Sequence, residues 1–238
     1  MPDYFKSEFV KIINRKYLAR EANPFRTKAF DKLTEQGLPT KKDENWRFTD
    51  ISSIKKGSFR ISEKKDAPNA DFNISGHELN SLKTVVFFNG HLQESLSALP
   101  KGLGVISNQK YMEQNGWALS QPTKSSFDLL NTAFIDSGVS IIVDKGIQIS
   151  EPIRLLFICS SDEKLMTSPR IHVDIGESSS LSLFEQHVGD CNEYLFNQSV
   201  IVNIERNARL DHIRLQNNSE STINCCCMSI SSFVQARC

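Results

Sequence analysis

Two aspartates occupy matching places in two short segments. "IIVDKG" from Ile141 carries Asp144, and "IHVDIG" from Ile171 carries Asp174. Carboxylates on neighbouring strands stand about 4.8 Å apart, and paired acids of this kind cleave glycosidic bonds in some sugar-acting enzymes. The same pair on a solvated strand surface does nothing, so the two aspartates define an alternative rather than an assignment. Softer donors form two partial ligand sets: His187 and Cys191, four apart, and Cys225 and Cys227, which alternation puts on one face of a strand with Cys226 on the other. Zinc wants four such ligands and a cluster four thiolates or close substitutes, so the isolated chain is expected to hold neither metal nor cofactor. No G-x-x-x-x-G-K-[ST] loop, G-x-S-x-G elbow or H-E-x-x-H motif occurs, and "KGLGVIS" supplies only two glycines of a dinucleotide fingerprint. No catalytic residue follows from motifs.

Composition sets the context for these groups. The chain has 238 residues with 28 basic and 28 acidic side chains, enough to bury a sizeable core without staples. Charge is unevenly spread: residues 1–65 hold 16 Lys and Arg against 9 Asp and Glu, and residues 66–238 hold 12 against 19. The basic residues are scattered through amphipathic segments, without a run or a nucleic-acid motif, so no nucleic-acid partner is expected. Six cysteines at 159, 191, 225, 226, 227 and 238 form a poor disulfide framework and fit a reducing compartment. The N-terminus lacks a signal-type apolar region, and no stretch approaches the roughly 18 apolar residues of a membrane span. A cytoplasmic protein without a membrane partner is the expectation.

The elements that would position these groups fall into three stretches. From Tyr4 to Arg20, Phe5, Phe9, Ile12, Ile13 and Tyr17 recur at helical spacing. Asn23 and Pro24 then open a second helix carrying Phe25, Ala29 and Leu33, which stops at Gly37. The segment "GLPTKKDENWRFTD" follows; its Trp46, Arg47 and Phe48 predict a strap that docks the head onto the rest of the molecule. Residues 1–54 thus form a helical region, 55–73 a polar linker, and 74–238 a body in which the period changes to two.

In that body "TVVFFNG" predicts a strand ending in an Asn-Gly turn. A helix over Ser126–Ser137 has Phe127, Leu130, Asn131 and Phe134 on one face and is expected to cap the sheet. "IIVDKG" and "IHVDIG" coincide at a spacing of 30, and "VDIGESSSLSLFEQ" and "VNIERNARLDHIRL" at 29, with Val173 on Val202 and Leu181 on Leu210. Successive similar spacings are the mark of a solenoid, whose turns lay strand on strand. Alternation puts Ile141, Val143, Ile171, Val173, Ile175, Val202 and Ile204 inward, with Ile142, Asp144, His172, Asp174, Ile201 and Asn203 outward. The register stacks His187 on Gln216, His172 on Ile201 and His212 on Leu183. The strand-like end leaves an edge carrying Ile223, Cys225, Cys227, Ile230 and Val234, which should pair with another chain.

Two segments resemble a known family. "GLPTKKDENWRFTD" is similar to the G-L-P-(S/T)-x-x-x-E-x-W-(R/K)-(Y/F)-T entry segment of the SufD branch of the SufB/SufD family. "LLNTAFIDSGVSIIVDKGI" is similar to the passage leading into that family's β-helix. The resemblance implies a mainly β protein, a right-handed β-helix preceded by an N-terminal α-helical region. It implies a non-catalytic scaffold for iron–sulfur cluster assembly, with the cluster held only transiently in a complex with a SufB-like subunit and the SufC ATPase. In the family, further turns and a C-terminal helical domain that docks SufC follow the point reached here by "SISSFVQARC", so SufC binding is expected to fail and no cluster ligand is carried over.

Overall fold

The computed structural model describes residues 1–66, 82–93, 100–116, 125–191 and 193–232. Strand (42%) outweighs helix (28%), in a β-solenoid of about three turns behind a helical head. The solenoid winds alternately between two sheets. One contains β5 (Gly138–Val143), β7 (Leu165–Thr167), β8 (Arg170–Ile175), β10 (Tyr194–Ile204) and β12 (Thr222–Ser232). The other contains β6 (Ile153–Ser161), β9 (Ser180–Cys191) and β11 (Arg209–Asn218). These strands pair in parallel with the turn before. Two antiparallel strands flank the first turn: β3 (His91–Gln93) beside β2 (Lys83–Phe88), and β4 (Leu103–Ser107) beside β5. Asn89 and Gly90 both take positive φ (44° and 83°), the geometry a two-residue Asn-Gly hairpin requires.

The interior is the alternating row predicted from sequence. Ile141, Val143, Ile171, Val173, Ile175 and Val202 are all buried in one cluster, with Ile204 at its margin. Val173 pairs with Val202, His172 with Ile201, Leu181 with Leu210, His212 with Leu183 and Gln216 with His187. The earlier join differs from expectation. Ile141 lies against Val173, not Ile171, because the stretch from Asp144 to Pro152 is two residues longer than its counterpart in the next turn. A shift of two preserves the in-and-out pattern but changes every neighbour.

The corners after β5, β8 and β10 stack. Each contains one residue in left-handed conformation: Gly146 (φ 76°), Ser178 (φ 57°) and Asn207 (φ 57°). Backbone N–H groups join one corner to the next, Gly146 to Glu177 O (2.9 Å) and Ser178 to Arg206 O (2.9 Å).

The head is α1 (Asp3–Ile13), α2 (Asn23–Gln36) and a short α3 (Ser52–Lys56). The first helix ends earlier than its periodicity suggested, and Tyr17 lies outside it, 36% exposed. Beyond the helix Arg15 reaches across to Asp136 (3.0 Å), a buried tether that the helical path would not allow. The segment read as a linker is partly structured: Phe59 and Ile61 are buried, and β1 (Arg60–Ile61) pairs in parallel with β7. Residues 67–73 of that segment lie outside the described residues.

The helix α5 (Ser126–Phe134) is not an end cap. All nine of its residues are buried, wedged between α2 and the outer face of the β10 sheet, where Phe127, Leu130 and Phe134 join Phe5, Phe9, Leu33 and Leu195 in a second core. A helix so enclosed must satisfy its polar groups internally. Asn131 donates to Pro169 O (3.0 Å) and Asn197 O (2.7 Å) and accepts from Arg170 Nε (2.9 Å). Burial lowers the Arg170 pKa to about 10, against the opposing pull of Asp128.

Candidate functional site

The solenoid interior changes character toward its last turn. Along β9, alternation gives inward positions to Leu181, Leu183, Glu185 and His187, so a carboxylate and an imidazole follow two leucines into the core. Glu185 is 1% exposed. It accepts from His187 Nε2 (2.6 Å), His212 Nε2 (3.0 Å) and Arg214 (3.0 Å). Burial alone would raise its pKa, but the hydrogen bonds from His187 and His212 and the Arg214 charge outweigh burial and hold the carboxyl well below the ordinary range. Arg214 also donates to Gln198 Oε1, which receives Cys226 Sγ at 3.5 Å. His187 is fixed from the sides, stacked on Phe157 and edge-on to Phe196, each 4.9 Å between centroids.

This network reaches β11 and β12, the last described strands of the solenoid. Among the described residues β11 pairs only with β9, and β12 only with β10. Met228 (44% exposed) and Ile230 (60%) face the solenoid interior side of β12, while Ile213 (64%) and Leu215 (47%) lie on the opposite face of β11. Among the described residues the region has a charged, hydrogen-bonded centre, apolar flanks and two strand edges at which a further β-strand can add. Burial pushes the Cys225 thiol up to about 12 and raises Cys226 and Cys227 as well, with Arg214 pulling partly the other way on Cys226.

The edge residues read from sequence are divided between the two faces. Ile223, Cys225 and Cys227 turn toward the α5 core, with Ser125 Oγ 3.6 Å from Cys227 Sγ. Ile230 points the other way, with Cys226 and Met228, as strand alternation demands. Val234 and Cys238 lie outside the described residues. Cys159 and Cys191, expected as free thiols, form a disulfide with 6.2 Å between Cα atoms. Their separation of 32 brings them to diagonal positions, since Cys159 lies opposite Gly189; the bond removes Cys191 from any ligand pair with His187. No group of three or more metal-competent side chains forms among the described residues.

The acidic pair is offset from the predicted register. Asp174 lies against Ile142 and accepts from Tyr111 Oη and from Asn203 Nδ2 (2.7 Å), while Asp144 stands past the end of β5. The two-residue register difference sets the pair diagonally instead of directly opposite, and both line one cleft with Asn203 and Glu205. His172 stands on the outer face, as alternation placed it, and is 2% exposed because α4 (Asn108–Asn115) lays Tyr111 over it; burial and Arg170 lower its pKa to about 4 despite Asp174.

The strap docks by one residue of its predicted three. Trp46 is half-buried on Phe127 (5.0 Å between centroids), whereas Phe48 is 93% exposed with Arg47 stacked over it at 5.5 Å. The remaining attachment comes from Leu38 and Ile51, both buried, and from Ser126 Oγ, which donates to Gly37 O (2.8 Å). Thr40 and Asp43 shape the turn between them.

A search for motifs misses Glu185, Gln198 and Arg214. The available signal is the polar residue at an inward position: Glu185 and His187 interrupt an otherwise apolar alternating row.

Comparison with known proteins gives the chain a lineage. It is 26% identical over 232 residues to a Synechocystis protein described as an iron–sulfur cluster assembly SufBD family protein, covering 88% of this chain and 50% of the relative. It is 24% identical over 188 residues to the iron–sulfur cluster assembly protein SufD of Escherichia coli K12, covering 77% of this chain and 43% of the relative. The chain therefore spans about half the length of these curated relatives. Residues 3–155 match the SufBD protein N-terminal region, and residues 157–236 match the SufBD core domain of SUF-system FeS cluster assembly. With both regions matched in order along nearly the whole sequence, the chain belongs to the SufBD family.

Proposed function

We propose that this chain is a non-catalytic, SufD-like scaffold subunit for iron–sulfur cluster assembly in the cytoplasm, and that its β12 strand contributes to pairing with a SufB-like subunit. The observation that supports this reading best is that, among the described residues, β11 and β12 each have one unpaired edge, beside the exposed Met228, Ile230 and Ile213. An exposed strand edge with apolar side chains is a place where a further β-strand can add. The cluster is cargo of the assembled complex. A SufC-type ATPase belongs to the same complex.

Co-purification of the chain with a SufB-type subunit tests the proposal. Ile230→Lys combined with Met228→Lys puts charges into the joined interior and should abolish the complex while leaving the circular-dichroism spectrum intact. Undiminished complex formation by the double variant would remove the β12 edge from the interface.

A further inference from the structure

A second site lies away from β11 and β12, where the head, the β2–β3 hairpin and α4 meet around a cleft of about 420 Å³. His91, the first residue after the Asn-Gly turn, is 3% exposed, and neither of its ring nitrogens has a hydrogen-bond partner among the described residues. The nearest carboxylate, Asp136, stands 4.0 Å away and is held by Arg15 at 3.0 Å. A buried imidazole with both nitrogens unsatisfied is rare, because each lost hydrogen bond costs stability with nothing in return.

The same cleft is lined by Arg26, 2% exposed, whose described hydrogen bonds all go to neutral oxygens: Ile135 O (2.9 and 3.2 Å), Ala19 O (3.3 Å) and Asn23 Oδ1 (3.1 Å). Burial lowers its pKa to about 10, with Asp136 opposing, so it remains a cation at neutral pH. Lys64 stands at the cleft, 5.1 Å over the Tyr17 ring. Ser107, Asn108 and Gln109 bring the N-terminal end of α4 to the wall, where first-turn N–H groups carry partial positive charge. Among the described lining residues Arg26 and Lys64 are two cations to the one carboxylate of Asp136, which Arg15 also pairs, and Glu63 acts on the neighbouring Tyr17. Leu92 and Met112 add an apolar wall.

From the unpartnered His91, the cationic Arg26 and the α4 N-terminus converging on one cleft, we infer a binding site for a small molecule bearing an oxyanion, of phosphate type. The oxyanion accepts from His91 and from Arg26 or Lys64, and the cleft has room beyond it for a small organic body against Leu92 and Met112. This site is independent of the proposed β12 interface: it uses no residue of β11 or β12 and requires no partner chain.

Isothermal titration calorimetry of the full chain, at constant ionic strength set with chloride, decides the matter. Inorganic phosphate and glycerol 3-phosphate are the probes in separate arms. One saturable site is expected, with affinity weakened about tenfold by His91→Gln and severalfold by Lys64→Ala. Tighter binding of glycerol 3-phosphate assigns the organic ester as the ligand class, and equal binding assigns the free anion. Lys64 is exposed, so its variant keeps the fold and decides the question if His91→Gln does not express. Absence of saturable heat with both probes, or wild-type affinity in Lys64→Ala and in any folded His91→Gln, overturns the assignment.

Discussion

Replacing Glu185 by Gln isolates the charged centre between β9 and β11. The carboxylate is 1% exposed and receives His187 at 2.6 Å, His212 at 3.0 Å and Arg214 at 3.0 Å. An amide keeps the volume and one acceptor oxygen but presents N–H groups toward donors, and it leaves Arg214 with Gln198. Removing one member of a buried ion pair costs about 3–5 kcal/mol when the remaining charge is fully enclosed. The Arg214 side chain is 23% exposed and that of His212 14%, so part of the orphaned charge is solvated and the expected loss falls to about 2–3 kcal/mol. For a chain of this length that is a drop of roughly 5–10 °C in Tm, measurable by calorimetry or urea unfolding. A depressed carboxylate pKa adds a pH signature. Its stabilisation is fully present above the unfolded-state carboxylate value and disappears only as pH falls through the lower folded-state value. The gap between wild type and Glu185→Gln should therefore persist at pH 5 and narrow only in stronger acid. A variant with unchanged midpoint, or a gap that has closed by pH 5, would refute the network.

Two other perturbations test the neighbouring claims. Trp46→Ala removes a half-buried ring on Phe127 and should cost about 1–2 kcal/mol, below the range for an enclosed aromatic, whereas Phe48→Ala should stay within about 0.5 kcal/mol; equal urea midpoints for the two variants would contradict the geometry of the strap. Burial holds the Cys225 thiol near 12, so iodoacetamide at pH 7.5 should modify it more than about tenfold slower in the native chain than in urea, as read by mass spectrometry of the alkylated peptide; equal rates would show that β12 does not bury it.

Much of the solenoid is legible because alternation is a local property. Val173, Ile175, Val202 and Ile204 carry it on their own strands, and the matching lengths of two successive corners fix the spacing of 29 without knowledge of the rest. The spacing of 30 fails for a local reason too: "VDKG" and "VDIG" look alike, but the two extra residues between Asp144 and Pro152 have no compositional mark. Asn131 shares a face with Phe127 and Phe134 in sequence, yet nothing local says that this face and its opposite are both covered. Phe48 misleads because an aromatic residue beside Trp46 reads as apolar surface awaiting a partner, when turn chemistry at Thr40 and Asp43 directs it outward. His91 and Glu185 are silent in the chain because their meaning is set by what surrounds them, one by missing hydrogen-bond partners and the other by three donors from two strands. A polar residue in an inward slot is the clue that sequence does offer.

The stacked corners at Gly146, Ser178 and Asn207 bear on how such a chain can change over evolutionary time. Paired strands lie 32 residues apart between β5 and β8, 30 between β6 and β9, 29 between β9 and β11, and 28 between β10 and β12. Within a strand, gaining or losing one residue would turn every following side chain inside out. At a corner the alternation is already interrupted, and the count restarts with the next strand. Odd and even changes in length are then equally harmless at a corner, and the molecule has used both, the even one between Gln148 and Ile153 and the odd one between β11 and β12, while the Gly146, Ser178 and Asn207 corner keeps one length. Corners are where insertions can accumulate, where a loop or a tag can be grafted, and where relatives of quite different turn length can share one interior.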